Sequence, residues 1–145
     1  MSNKKTDNAM RNLFIEKIYN LCDGKKAEEV FLTYIKSDGT QDDITYRSFG
    51  LKCELLMQKF QKSILHRKDR VLLLTPMSPF GCIAVTALAI SELVSVVLNP
   101  QLPEEELDSL VIKSDISGIV CDEEIYQKYA YKWTQKYPVF IYKNG

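Results

Sequence analysis

An α/β fold, with a mainly parallel sheet of βαβ units flanked by helices and preceded by a β-hairpin, is the class this sequence predicts. Three observations predict it. The most apolar stretch, Asp69 to Pro103, places two branched runs, Val71–Leu74 and Val94–Leu98, on either side of the longer segment Pro79–Ser91. That is a strand, a crossover helix and a second strand, the connection that parallel pairing requires. Strand-like and helix-like segments continue to alternate after Pro103, and right-handed crossovers turn such alternation into a layered α/β sheet. Upstream, Asp38-Gly39 separates a β-branched and aromatic run from a short second run, a two-residue hairpin signal.

The elements follow in order. Residues 1–8 form a loose polar tail, and residues 9–145 are expected to make a single α/β domain. From Asn12 to Cys22, Leu13, Phe14, Ile18, Leu21 and Cys22 recur at helical spacing. That helix ends near Asp23-Gly24, where Gly24 can take the left-handed C-terminal conformation. Val30 to Ile35 reads as a strand, and Asp42 to Thr45 as its return. Thr45 caps a helix beginning at Tyr46, with Ser48 where a reciprocal capping box has Glu or Gln. Leu51, Leu55, Leu56, Phe60 and Ile64 form its expected buried stripe, Lys52, Glu54, Lys59 and Lys62 point away, and Gly50 weakens it slightly.

Val71–Thr75 is the first strand of the βαβ unit, and Pro76 ends it for want of a donor. Ser78 caps the crossover helix with Pro79 at its first position. Ala84, Ala87 and Ala89 keep that helix slim. Val94–Leu98 is the second strand, ended by Asn99-Pro100. Pro103 begins a helix whose first turn carries Glu104, Glu105 and Glu106 at the positive end of the helix dipole. Gly118–Cys121 is a third strand, Asp122 caps a final helix through about Trp133, and Val139–Tyr142 is the last strand.

The chain has 145 residues, is 46% apolar and 26% charged, and balances 19 Lys and Arg against 19 Asp and Glu. A near-zero charge argues against a nucleic-acid surface. The lysines and aromatics between Tyr126 and Tyr142 are read as packing of a terminal helix and strand rather than a stacking platform. Pro76, Pro79 and Glu92 interrupt the one candidate membrane span. No signal-peptide core is seen at the N-terminus. Cys22, Cys53, Cys82 and Cys121 form no CxxC pair, and with one histidine, His66, they make no zinc site. They are expected to be buried free thiols in a reducing, cytoplasmic compartment.

The six glycines form neither GxGxxG nor GxxxxGK[ST], so no phosphate cradle is visible. His66, in a charged segment before a strand, is expected to be a solvated loop residue. The pairs Asp42-Asp43, Glu104–Glu106 and Asp122–Glu124 are read mainly as cap and surface carboxylates. No catalytic residue and no metal ligand is assigned.

Five segments carry a family resemblance. Ile44-Thr45-Tyr46-Arg47-Ser48-Phe49 resembles the "LTYxEL" start of the second helix in adenylate-forming enzymes, which include acyl-CoA synthetases, luciferases and peptide-synthetase adenylation domains. Lys68-Asp69-Arg70-Val71 resembles "GDRV", and Thr75-Pro76-Met77-Ser78-Pro79 resembles "LPNSPE". Val96 to Pro103 is similar to "VVPLNPxLP", and Ser114-Asp115 through Val120-Cys121-Asp122-Glu123 to "DSxAKxLITDD". The matches keep the family's order and spacing over roughly residues 28–124.

The resemblance implies the N-terminal α/β subdomain of an enzyme that joins a carboxylic acid to AMP and usually passes the acyl group to CoA. ATP, magnesium and CoA are implied for a full-length member, with none bound by this segment. The family's phosphate loop ending in Pro-Lys-Gly, its metal-binding Glu, its ribose-binding Asp and its catalytic Lys lie beyond the matched stretch. Asn99, Pro100 and Gln101 correspond to a loop near the CoA nucleotide in acetyl-CoA synthetases and are the cofactor-proximal candidates. Lys68 stands where the family has glycine, Ser91-Glu92-Leu93 replaces its "AGA" turn, and Val97 replaces the usual proline. The expected partner is the remainder of such an enzyme, or a second copy, through an exposed apolar face. A non-catalytic interaction module and an unrelated nucleotide-binding α/β domain are the alternative readings.

Overall fold

A computed structural model describes residue 13 and residues 15–143. The expected tail, residues 1–8, lies outside the described residues. The chain divides into two compact units, Met1–Lys52 and Cys53–Gly145.

In the first unit, residues 15–23 are helical (α1). Gly24 follows without the left-handed φ expected of it, since Gly39 is the glycine with positive φ among the described residues. Two strands, β1 (Val30–Ile35) and β2 (Gln41–Thr45), pair antiparallel with Leu32 opposite Ile44 and Tyr34 opposite Asp42. The turn between them departs from the two-residue expectation. Lys36 N–H donates to the Thr40 carbonyl (2.9 Å) and Gly39 N–H to the Lys36 carbonyl (3.0 Å), so three residues form the loop. Gly39 sits at φ 82°, and the Asp38 carboxylate accepts from both the Thr40 amide and hydroxyl. An Asp that stitches itself to the residue two ahead favours a type I turn closed by a left-handed glycine over the tighter loop.

Helix α2 (Tyr46–Gln61) begins as expected, with Ser48 N–H donating to Thr45 Oγ1 at 3.2 Å. Its buried stripe differs from the expected one. Phe49, Cys53, Leu56 and Phe60 are buried, whereas Leu51, Leu55 and Ile64 are exposed. Leu56 and Phe60 belong to both sets, Leu51 and Leu55 lie on the adjacent face, and Ile64 falls past the helix end, so periodicity alone could not choose between adjacent faces. The unit boundary falls within this helix.

The second unit is a four-stranded, all-parallel sheet in the order β4-β3-β5-β6. Its strands are β3 (Arg70–Leu74), β4 (Val94–Val97), β5 (Gly118–Asp122) and β6 (Val139–Tyr142). Between them run α3 (Pro79–Ile90), α4 (Glu104–Lys113) and α5 (Glu123–Lys128). Pro103 occupies the cap position of α4 and not its first turn. The final helix stops five residues short of Trp133, because Tyr129 leaves helical geometry (φ −134°, ψ −51°), and Ala130–Trp133 forms a separate 3₁₀ turn.

Side-chain alternation along β3 splits the core. Val71 and Leu73 join Leu56, Phe60, Phe80, Ala84 and Leu88 on one face. Leu72 and Leu74 join Leu107, Val111, Ile119 and Cys121 on the other. A strand buried on both faces must be apolar at every position, which explains the unbroken run Val71–Leu74. No helix among the described residues is long and apolar enough to cross a membrane.

Candidate functional site

Parallel strands deliver the loops after them to one end of the sheet, and in open α/β sheets ligands are held there, where successive connections leave in opposite directions. In this sheet β3 is followed by β4 on one side and then by β5 on the other. The switch point therefore lies between the C-terminal ends of β3 and β5.

Two side chains meet at that point. Thr75, the residue after β3, donates its hydroxyl to Asp122 Oδ2 at 3.2 Å. Asp122 Oδ1 accepts from the Ile125 amide at 2.9 Å and so caps α5. The Thr75–Asp122 pair is a site feature the sequence reading missed. Local sequence marks Asp122 as a cap and Thr75 as a strand end, and only the strand order brings them together. On the adjacent turn, Ser78 Oγ accepts from the Gly81 amide at 3.3 Å, with Pro79 opening α3. Phe80 stacks on Tyr142 with centroids 4.3 Å apart and planes inclined by 14°, tying α3 to β6. Met77 is 95% exposed at the tip of the β3–α3 loop.

The sequence candidates Asn99, Pro100 and Gln101 follow β4 at the same end of the sheet. Asn99 Oδ1 accepts from the Gln101 amide at 3.0 Å, a local turn that leaves both side chains exposed. His66 is at the opposite end, before β3, with its side chain 86% exposed and Nδ1 3.8 Å from Asp69. No nucleophile–base pair is formed by these groups.

All four cysteines are free. Cys22, Cys53 and Cys121 are buried as expected, but Cys82 is exposed on α3, correcting the reading of all four as buried. Burial, helped by the Asp122 charge, pushes the Cys121 thiol up to about 12. This thiol is held as a small apolar group and not as a nucleophile.

No three His, Cys, Asp or Glu side chains among the described residues converge, and both Asp122 oxygens have protein partners. Two ordered turns, at Ser78 and at Asn99, lie at this end of the sheet.

The model of the AMP-binding enzyme family matches residues 22–141. Among solved structures, the chain is similar to the N-terminal subdomain of NpsA from Klebsiella oxytoca, in complex with 3-hydroxyanthranilyl-AMSN. The TM-score is 0.65 at 20% identity, covering 90% of this chain and 28% of that one. It is also similar to the fatty acid AMP ligase of Legionella pneumophila, with TM-score 0.72, 16% identity, and 86% and 22% of the two chains. A third similar structure is the O-succinylbenzoate coenzyme A synthetase of Bacillus subtilis, in complex with ATP and magnesium. There the TM-score is 0.68 at 14% identity, over 86% and 32% of the two chains. The chain thus spans less than a third of the length of each. No curated protein sequence matches it.

Proposed function

The chain belongs to the AMP-binding enzyme family, and from that membership we propose that it is the N-terminal segment of an ATP-dependent acyl-adenylate-forming ligase. The full reaction in this reading joins a carboxylic acid to AMP and passes the acyl group on as a thioester, as an acyl-CoA synthetase does. The segment is not catalytically competent by itself. The observation that carries the reading is the family match over residues 22–141. Its supports are the five motif resemblances in order and the parallel sheet shared with adenylating enzymes.

In this reading ATP supplies the adenylyl group, and ATP, magnesium and CoA are held by sequence beyond the matched stretch. Asn99, Pro100 and Gln101 lie beside the CoA nucleotide. Four free thiols support a reducing, cytoplasmic setting. Helix α3 has no charged residue, and Cys82, Val85 and Ala89 on its outer side are exposed. A helix apolar around its circumference calls for a cover. The remainder of the ligase, or a second copy of the chain, is that cover. The same exposed side favours the second reading, an interaction module that keeps the fold without the ATP site.

ATP–pyrophosphate exchange with a panel of carboxylic acids tests competence. Residues 1–145 are expected to give none, and exchange above background would overturn the reading of an incomplete catalyst. The reading frame past codon 145 tests the rest. It is expected to encode a Ser/Thr/Gly-rich loop ending in Pro-Lys-Gly, and a stop codon with no such motif nearby sinks the ligase and leaves the module.

A further inference from the structure

We infer that the N-terminal end of the parallel sheet is a docking surface for an acidic polypeptide segment. Three loops meet there. Lys68 N–H donates to the Glu92 carbonyl at 2.8 Å, joining the loop before β3 to the loop before β4. Ser117 N–H donates to the Arg70 carbonyl at 2.7 Å, and Arg70 Nε to the Ser114 carbonyl at 2.8 Å, joining both to the loop after α4. Across residues 62–70, 91–94 and 113–117 the exposed charges are five cations, Lys62, Arg67, Lys68, Arg70 and Lys113, against one anion, Asp115.

The other two carboxylates are turned to structural use. Asp69, its side chain 27% exposed, accepts from the His66 amide at 2.8 Å. Glu92, 15% exposed, is paired with the Arg67 guanidinium, which remains 72% exposed. A chain with no net charge thus gathers outward cations at one end of its sheet. Lys68 and Glu92 also hold left-handed backbones, at φ 70° and 60°, that glycine would adopt without strain. The charged side chains are kept there against local conformational preference.

The chemistry favours a polypeptide. No Phe, Tyr or Trp occurs in these three loops, and Trp133 and Tyr137 of the segment entering β6 at the same end are partly buried against the core, so no freestanding ring is offered to a base. Ile64, 75% exposed within the first loop, offers an apolar contact that a side chain can use and a phosphate cannot.

Fluorescence anisotropy with a labelled oligoglutamate, compared with a single-stranded oligonucleotide of equal charge and with tripolyphosphate, tests the inference on the whole chain. Oligoglutamate is expected to bind best and to weaken as salt screens the contact. Lys68→Gly and Lys113→Gln are expected to weaken it about two- to fivefold each. Lys143→Gln, beyond β6 at the opposite end of the sheet, is expected to leave it unchanged. Lys68→Gly is not expected to lower the melting temperature, so lost affinity in that variant reports the surface and not the fold. Absence of saturable binding at low salt overturns the inference, as does unchanged affinity in both variants. A preference for the oligonucleotide or tripolyphosphate overturns the acidic polypeptide as partner.

Discussion

At the scale of single residues, backbone conformation and burial set the expectations. Lys68 sits at φ 70°, where a side chain costs roughly 1–2 kcal/mol, while glycine costs roughly 0.5–1 kcal/mol in unfolded-chain entropy. The first quantity is the larger. Lys68→Gly is therefore expected to stabilise the protein by about 0.5–1 kcal/mol, read as a higher melting temperature, and a lower one would contradict the strain account. Thiol chemistry is equally specific. Cys82 is exposed and Cys121 has no exposed surface, so an aromatic disulfide reagent at neutral pH should modify Cys82 and spare Cys121 until the protein unfolds. The raised Cys121 thiol fixes a sign for alkaline stability. The folded protein retains the proton more firmly, so this stability is fully present below the ordinary thiol value of 9.0 and is lost as pH rises toward about 12. Cys121→Ala should remove that part of the alkaline slope in denaturation curves. Sequence patterning foresaw the burial of Cys121 because it lies in a branched strand run. It missed the exposure of Cys82, because a helix apolar on every side does not reveal which side is outermost.

At the scale of elements, two substitutions separate propensity from packing. Gly50 lies inside α2, where alanine ordinarily gains about 1 kcal/mol. A Cβ there would stand 2.6 Å from the Cys22 sulfur and 2.7 Å from its Cβ. Overpacking costs roughly 1–3 kcal/mol, so it outweighs propensity. Gly50→Ala should lower stability by chemical denaturation, and adding Cys22→Ala should recover only part of the loss, because the Cys22 Cβ stays 2.7 Å from the new methyl group. An additive double variant would show that the thiol is not the obstacle. Asp122 serves two elements, capping α5 and accepting from Thr75. Asp122→Ala should cost about 1–2 kcal/mol, whereas Thr75→Val should cost less, since the cap survives it. Equal losses would contradict this division. Strand positions and caps were legible from residue type. The true stripe of α2 was not, because Leu51 and Leu55 are as apolar as Leu56 and Phe60, and only a neighbouring surface decides which pair is covered.

At the scale of the whole molecule, an uncharged α3 with Val85 42% exposed leaves an apolar face on a chain of no net charge. Residues 1–145 should therefore self-associate with rising concentration in light scattering, and Val85→Lys should suppress it. A clean monomer at all concentrations would remove the case for a covered face. By itself the sequence determined the α/β class, the approximate strand positions, the caps at Thr45, Ser78 and Asp122 and the family, because these rest on local preferences and on motifs contiguous in the chain. Tertiary structure alone decided the strand order β4-β3-β5-β6, and with it the meeting of Thr75 and Asp122, 47 residues apart. It also decided the gathering of Arg67, Lys68, Arg70 and Lys113 on one rim. The physical reason is that a parallel sheet places each strand by lateral hydrogen bonds and two-faced burial. Those interactions act between distant segments and leave no periodic trace within any one of them.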